Sequence, residues 1–233
     1  ALVRELDNTR PILLTDGGVV IVKFFLHIDE EEQARRLKKL RKHKVLAWQA
    51  GATARRRTKR YPDYVESTER LLQETSTDCA QWTLVSANDH RFATVKVAEV
   101  LVASFENALS RPRVQSGPPP KFSARHTSPL ERVDLTQKLK TEKYEEQLES
   151  LQRDVRDLQH VCFSRKKSVV IVYEGWDTAG KGSNIRRVVR MLDPRYYEVV
   201  PVAAPAGDEK THHYLWRFWK ALPELGHLSI FDR

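Results

Sequence analysis

A glycine-rich stretch between an apolar run and a helical pattern is the feature that most constrains the fold of this chain. The stretch, GWDTAGKGS from Gly175 to Ser183, matches the pattern G-x-x-x-x-G-K. Ser168–Tyr173 directly precedes it and predicts a buried strand, and Gly182–Leu192 predicts the following helix. In such a unit the N–H groups of the loop and the positive end of the helix converge on one point. The pattern therefore predicts a phosphate-binding loop in an α/β fold.

Individual residues of this loop have separate physical reasons. Gly175 and Gly180 allow the backbone to turn where a Cβ would clash. Lys181 brings a full positive charge to the terminal phosphates of a ligand. The next position, where a Ser or Thr hydroxyl commonly holds Mg²⁺, is Gly182, and Ser183 comes one place later. The loop thus fits phosphate binding but needs another source of metal ligands.

Two aspartates are candidates for that role. Asp177 lies inside the loop, where a carboxylate would repel phosphate unless a metal ion stood between them. It is therefore a candidate Mg²⁺ ligand or base, and the alternative is that it faces solvent or caps the helix. Asp232 ends the apolar run Leu228–Phe231, as does the metal-binding aspartate of phosphate-loop enzymes. A short apolar run that ends in Asp is common and is weak evidence by itself. Asp232 is a stronger candidate because its run follows the phosphate loop by two strands.

Strands and helices alternate through the rest of the chain. Val19–Ile28 is an apolar run after the turn signal Asp16-Gly17-Gly18, and it predicts a strand buried on both faces. Asp29, followed by Glu32, predicts the N-cap of a helix that runs to about Trp48. The alternation predicts an α/β fold with a mainly parallel sheet. The other predicted elements are helix Pro62–Glu74, strand Trp82–Val85, helix Arg91–Leu109, an amphipathic helix through Leu148–Cys162, strand Glu198–Val202, helix His212–Leu222 and strand Leu228–Phe231.

A proline-rich stretch separates two halves of the chain. Ser110–Pro129 holds five of the eleven prolines and no acidic residue. Proline fixes φ and removes a hydrogen-bond donor, so the stretch cannot continue a helix or a central strand. We interpret it as an extended basic linker, with an ordered surface loop as the alternative.

Composition narrows the class of protein. The 233 residues carry 40 Lys and Arg against 31 Asp and Glu, a net charge of +9, which favours a polyanionic partner. No apolar stretch approaches the length that spans a bilayer, and the first residues do not resemble a signal peptide. Two cysteines are too few for a disulfide scaffold or a zinc cluster. We therefore expect a cytoplasmic protein with no membrane partner.

Two basic runs precede the linker. Arg35–Lys44 contains seven Lys or Arg residues, and either anion contact or a solvated helix face explains it. Arg55–Arg60 contains five more. For Arg55, Arg56 and Arg57 we favour contact with a polyanion.

At this point the sequence resembles a family. GWDTAGKGSNIRR and PVAAPAGDEKTHHYLWRFWKALPELGHLSIFDR are similar to the opening half of a polyphosphate kinase 2 domain. KFFLHIDEEEQARRL, the segment Tyr61–Val65 and TSTDCAQWTLVSANDHRFA resemble the closing half of another copy. The order is similar to that of tandem polyphosphate:AMP phosphotransferases. The resemblance implies residues 1–109 as a closing half, 110–130 as linker and 131–233 as an opening half. It also implies helices that flank the sheet and a helical lid, with Arg55, Arg56 and Arg57 on the connection where that lid lies.

The resemblance also implies a function and its residues. It implies phosphoryl transfer from inorganic polyphosphate to AMP, giving ADP, with Mg²⁺ and without a nucleic-acid partner. A nucleoside diphosphate acceptor, an ATP-using nucleotide kinase, a binding module without turnover and a homo-oligomer stay open. The matching residues are Gly175, Asp177, Gly180, Lys181, Gly182 and Ser183 in the loop, Arg186 and Arg187 on the following helix, and Asp232 and Arg233 at the end of the third strand. The resemblance implies that the catalytic residues are Asp177, Lys181, Asp232 and Arg233. It implies that the metal ligands are Asp177 and Asp232.

Two half-domains raise the question of how the chain folds. The resemblance implies a five-stranded parallel sheet with the loop-bearing strand in the centre. Each half alone would leave one edge of that strand unpaired, which is costly. We therefore predict that the halves complement each other as a circularly permuted kinase domain and that Val19–Ile28 pairs in parallel with Ser168–Glu174, within one chain or across two chains by exchange. The alternative is that each half faces a partner absent from this sequence.

Overall fold

One parallel sheet organises the protein. The computed structural model describes residues 19–42, 60–76, 80–110, 128–213 and 215–233. In that part of the chain, five strands form the sheet in the order β2-β1-β3-β5-β4. Its strands are β1 (Val20–His27), β2 (Trp82–Ser86), β3 (Val169–Gly175), β4 (Tyr197–Pro201) and β5 (Leu228–Asp232).

The helices lie between these strands along the chain. They are α1 (Glu30–Arg41), α2 (Tyr61–Glu74), α3 (His90–Ser110), α4 (Thr141–Ser164), α5 (Lys181–Val188) and the short α6 (Trp216–Trp219). Short 3₁₀ turns span Leu130–Arg132, Val189–Met191, Pro194–Tyr196 and Gly207–Lys210. Within the described ranges, no helix combines the length and apolarity that crossing a membrane requires.

The loop-bearing strand β3 lies at the centre and joins the two halves of the chain. On one side it pairs in parallel with β1, from Val20 opposite Val169 to Leu26 opposite Gly175. On the other side it pairs in parallel with β5. The predicted ladder between Val19–Ile28 and Ser168–Glu174 is therefore confirmed, and it forms within one chain.

Burial explains why these two strands are central. Both are almost wholly apolar runs, and in the sheet Ile21–His27 and Val169–Glu174 are buried. A parallel strand covered on both faces by helices needs such a run, because neither face meets water. Phe24 packs its ring 5.5 Å from that of Tyr173, so this ring contact in the core also joins the two halves.

The N-cap prediction for the first helix is confirmed. Asp29 is the N-cap of α1, and its carboxylate accepts a hydrogen bond from the backbone N–H of Glu32 at 2.7 Å. The described helix ends at Arg41. The expected continuation towards Trp48, the turn Asp16-Gly17-Gly18, Arg55–Arg57 and most of the linker, residues 111–127, lie outside the described residues.

Two helix predictions are wrong in extent. The sequence predicts a helix over His212–Leu222, but among the described residues of that range only Trp216–Trp219 are α-helical. Several N–H groups here bond to the carbonyl three residues back, as that of Trp216 does to His213, which makes tight turns rather than a continuous helix. Ring stacking of His212 on Trp216, with centroids 4.1 Å apart, accompanies these turns. The helix expected over Gly182–Leu192 is α-helical only to Val188 and then tightens into a 3₁₀ turn.

Candidate functional site

The phosphate loop begins where β3 meets its neighbour β1. Gly175 has a φ of +148°, and a Cβ built on it would lie 2.5 Å from the carbonyl oxygen of Leu26 in β1. That contact is with backbone, which cannot move aside cheaply. Glycine is therefore required here by the neighbouring strand as well as by the turn.

The loop then closes onto the N-terminus of α5. Thr178 has a φ of +69° and Gly180 one of +96°, and the N–H of Ala179 donates to the carbonyl of Trp176 at 3.1 Å. Gly180 is the N-cap of α5 and offers no side-chain capping bond, so the first N–H groups of the helix are directed at the loop without a capping side chain. Such helix N-termini favour anions.

Lys181 adds an ammonium group to this cradle. Its Nζ donates to the carbonyl oxygens of Gly175 at 2.7 Å and Trp176 at 3.3 Å. The side chain thus folds back over the loop that it follows. This places a full positive charge beside the backbone N–H groups, as the sequence pattern predicts.

The end of β5 supplies a carboxylate to the same place. The Oδ2 atom of Asp232 lies 3.8 Å from where a Cβ on Gly182 would stand. Burial raises the pKa of Asp232, and the nearby ammonium of Lys181 opposes that rise. A half-buried carboxylate therefore lies beside the N-terminus of α5, next to the position where glycine replaces the usual hydroxyl-bearing residue of the loop.

An ion pair that sequence reasoning missed lies next to it. Arg233 donates through its guanidinium to Oε1 of Glu174 at 2.8 Å. Burial raises the pKa of Glu174, and Arg233 and Lys181 oppose the rise. The available signal was an acidic residue at the end of an otherwise apolar strand, directly before the first loop glycine.

The carboxylates of Asp177 and Asp232 are compatible with Mg²⁺ binding. In the described ranges, no three His, Cys, Asp or Glu side chains cluster as a metal cage. Mg²⁺ needs none, since it keeps several waters and is commonly held by one or two carboxylates together with substrate phosphates. Asp232, half-buried near Gly182, and Asp177, on the loop, have the oxygen donors that this mode requires. The donor set therefore fits Mg²⁺ bound with a phosphate ligand.

A cleft of about 770 Å³ opens beside the loop. Its charged lining includes Asp177, Lys181, Glu174 and Arg233, from the trailing half of the chain. The leading half contributes one face of α2, and the aromatic rings of the cleft come from both halves. The residues of α2 that line the cleft are Tyr61, Tyr64, Ser67, Thr68 and Leu71. The other aromatic side chains of its lining are Phe25, Trp176 and Phe218.

Trp176 is anchored in this wall by a histidine of β1. Its indole N–H donates to Nδ1 of His27 at 2.7 Å, and its ring lies 4.9 Å from that of Tyr61. Burial lowers the pKa of His27 to about 4, against a smaller opposing effect of Asp29. The imidazole is therefore neutral near pH 7, which leaves Nδ1 as an acceptor for the indole.

The remaining predicted residues lie elsewhere. Arg187 donates to the carbonyl of Ser183 at 2.9 Å, and Arg186, which is exposed, reaches the Ser183 hydroxyl at 3.4 Å. Neither arginine lines the cleft. The structure thus brings Asp177, Lys181 and Arg233 together in the cleft and leaves the two arginines of α5 beside their own helix.

The sequence is similar to that of a known protein family and of named relatives. A family model described as polyphosphate kinase 2 matches residues 3–113 and 138–233. The chain is 36% identical over 225 residues to a polyphosphate:AMP phosphotransferase of Pseudomonas aeruginosa, covering 95% of this chain and 45% of the relative. It is 34% identical, with the same coverage, to the enzyme of that name from Pseudomonas syringae pv. tomato.

One solved structure is similar in sequence and only weakly similar in backbone geometry. The crystal structure of a candidate polyphosphate kinase 2 from Pseudomonas aeruginosa PA01 is 31% identical, with a TM-score of 0.44 and coverage of 99% of this chain and 43% of that one. The chain spans about half the length of the curated relatives it matches. Because the family model covers most of both halves, the chain belongs to the polyphosphate kinase 2 family.

Proposed function

We propose that this chain carries the machinery that moves a phosphoryl group from inorganic polyphosphate to a nucleotide, with AMP as acceptor and ADP as product. The observation that carries the proposal is the convergence of Lys181, Asp177 and Arg233 on one cleft beside the phosphate loop. Two relatives whose names state this activity support it. We further propose that the reaction takes place in the cytoplasm.

The division of the chain follows from the same family. We propose that residues 1–109 are the closing half of one polyphosphate kinase 2 domain, 110–130 a linker, and 131–233 the opening half of a second. Support comes from the family model, which matches the chain in two segments with a gap over residues 114–137. The β1–β3 ladder supports complementation of the halves into one domain.

Phosphate binding falls to the loop and two cations. The N–H groups around Gly180 and the Lys181 ammonium would hold the donor phosphates, with Gly175, Gly182 and Ser183 shaping the loop. Arg233 would add positive charge from the end of β5, beside Glu174. Fixed donors of this kind stabilise the charge that develops on a transferred phosphoryl group, because they need no reorganisation as the reaction proceeds.

Asp177 and Asp232 would hold Mg²⁺ against the bound phosphates. When bound, the ion neutralises negative charge on the phosphoryl oxygens. The burial that raises the pKa of Asp232 makes its ionised form costly in the absence of a cation. We therefore expect phosphate and Mg²⁺ to bind this site cooperatively.

The nucleotide would occupy the aromatic part of the cleft. A volume of about 770 Å³ lies within the usual range for small-molecule sites. Tyr61, Tyr64 and Trp176 offer ring surfaces for a base, and the hydroxyl-bearing residues Ser67 and Thr68 lie on the same wall. Since this wall is joined to the charged loop, a nucleotide and a phosphate chain could meet there.

A donor-exchange assay on the 233-residue chain tests the proposal. Long-chain polyphosphate and AMP with Mg²⁺ should yield ADP, and EDTA should abolish the product. ATP in place of polyphosphate should give a much lower rate, whereas equal or higher rates would identify an ATP-using nucleotide kinase. Binding of polyphosphate without any turnover would identify a binding module, and GDP or ADP as better acceptors than AMP would correct the acceptor.

A further inference from the structure

Arg36 connects the leading half of the chain to the phosphate loop. Its guanidinium donates to three backbone carbonyl oxygens: that of Thr178 in the loop at 3.0 Å, and those of Ala87 and Asn88 after β2 at 2.7 and 2.8 Å. Its Nε donates to the carboxylate of Glu32 at 2.5 Å. The side chain is only 18% exposed. Arg36 is thus neither a solvated helix residue nor an open anion contact, the two readings that its basic run allows.

The loop residue that Arg36 holds has a disfavoured conformation. Thr178 has a φ of +69°, which is a true outlier for a β-branched residue. Such a conformation persists only where the surroundings fix it. The peptide unit between Thr178 and Ala179 is fixed at both ends, because its oxygen accepts from Arg36 and its N–H donates to the carbonyl of Trp176.

This peptide unit determines what the loop presents to an anion. If Thr178 relaxed to a negative φ, the unit would rotate and a carbonyl dipole could turn towards the phosphate cradle. A carbonyl oxygen repels phosphate, whereas the N–H groups of the loop attract it. While the oxygen is bonded to the guanidinium of Arg36, that rotation is blocked.

We propose that Arg36 is a positioning residue that sets the phosphate loop in its anion-binding conformation through the carbonyl of Thr178. Four of its five N–H donors are engaged by Glu32 and the three carbonyls, so it acts on phosphate through the loop rather than directly. The part of the proposal that concerns phosphate affinity rests on the proposed function of the loop.

Arg35 provides a matched control. It is adjacent to Arg36 and bonds to the same carboxylate of Glu32, at 2.5 and 2.6 Å, but its side chain is 69% exposed. Arg35→Met and Arg36→Met therefore remove the same charge from the same helix and each break an ion pair with Glu32. Only the second change removes the bond to Thr178.

The first measurement needs no ligand. Amide hydrogen exchange at Ala179, followed by NMR, should be at least tenfold faster in Arg36→Met than in wild type, and within twofold of wild type in Arg35→Met. Amides of β3 should exchange equally slowly in all three proteins. The exchange rate at Ala179 in Arg36→Lys should lie between those of wild type and Arg36→Met, because an ammonium keeps the charge but lacks the planar guanidinium that reaches three carbonyls.

The second measurement is the affinity for tripolyphosphate by calorimetry at fixed salt. Arg36→Met should bind about tenfold more weakly than Arg35→Met. Equal exchange at Ala179 in the two methionine variants would overturn the proposal, and so would equal affinity. Should Arg36→Met fail to fold, Arg36→Lys is compared with Arg35→Lys by the same criteria. Absence of tripolyphosphate binding in wild type, with the exchange contrast intact, would refute the phosphate function and leave the positioning role standing.

Discussion

The leading half of the chain, residues 19–110, and the trailing half, residues 128–233, contribute differently to the candidate site. The trailing half contains the recognisable residues: the loop Gly175–Ser183 and the pair Asp232 and Arg233. The leading half contains no G-x-x-x-x-G-K pattern. Its residues contact that loop and line part of the cleft.

Three contacts show how the leading half does this. Leu26 leaves no room for a Cβ on Gly175, His27 accepts the indole N–H of Trp176, and Arg36 holds the carbonyl of Thr178. Each contact comes from β1 or α1 and acts on a different point of the loop. The difference teaches that a phosphate loop is local in sequence, whereas its conformation depends on neighbours far away in the chain.

The largest expected effect tests the contact between the halves at Gly175. Gly175→Ala places a Cβ 2.5 Å from the Leu26 backbone at a φ of +148°, and we expect a loss of about 3 kcal/mol or more in the free energy of unfolding. Urea unfolding measures it. Gly180→Ala is the matched control, since its Cβ would meet nothing within 4 Å and only the φ of +96° is strained; about 1 kcal/mol is expected. Equal losses would show that β1 does not constrain the loop.

The next effect concerns the charge that the trailing half supplies. Lys181→Ala should weaken polyphosphate binding on the order of 100-fold, because charge-assisted bonds to phosphate are lost, and should leave the unfolding free energy nearly unchanged. Calorimetry and urea unfolding together measure this. Lys38→Ala, on the exposed face of α1 in the leading half, should bind within twofold of wild type. Wild-type affinity in the Lys181 variant would refute the phosphate-loop interpretation.

A smaller effect depends on pH and tests the bond from β1 to Trp176. In the unfolded chain His27 takes up a proton below about pH 6.5, but in the folded protein only below about pH 4, so protonation favours unfolding. The stability that the neutral imidazole contributes is complete above pH 6.5 and is lost as the pH falls towards 4. We expect this loss to be about 3 kcal/mol, because each unit of difference in pKa is worth about 1.4 kcal/mol.

His27→Asn isolates that contribution. The amide oxygen of Asn can accept the indole N–H in place of Nδ1 but does not titrate. Urea unfolding of both proteins between pH 7 and 4 should give a shallower decline of stability in the variant, because all other titrating groups are shared. Parallel declines would mean that the pKa of His27 is not lowered by folding.

The smallest effect asks whether the leading half also touches the polyanion. Replacing Arg55, Arg56 and Arg57 with Ala should reduce the slope of log affinity for polyphosphate against log salt by about 1 to 2, as contacts that release counterions are lost. The matched control removes three cations from the exposed face of α1, at Lys38, Lys39 and Arg41. If both triple variants flatten the slope equally, net charge rather than contact explains the effect.

Much of this architecture could be predicted because its signals are local. The apolar runs of β1 and β3 specify strands covered on both faces, and the Asp29 cap specifies where α1 begins. The helix expected over His212–Leu222 is wrong because a helical pattern does not reveal competition from tight turns and ring stacking. A pattern of apolar residues describes one face of an element and not the path of its backbone.

The sequence by itself determined the position of the phosphate loop and the identity of Lys181, Asp177 and Asp232, because a turn, a helix N-terminus and a charge can be specified by adjacent residues. Only the tertiary structure decided the roles of Glu174, His27 and Arg36. Each of these three acts through a partner at least 59 residues away in the chain: Arg233, Trp176 and Thr178. Such pairs depend on which strands lie side by side, and the order β1-β3-β5 is set by burial of the whole sheet rather than by any short stretch of residues.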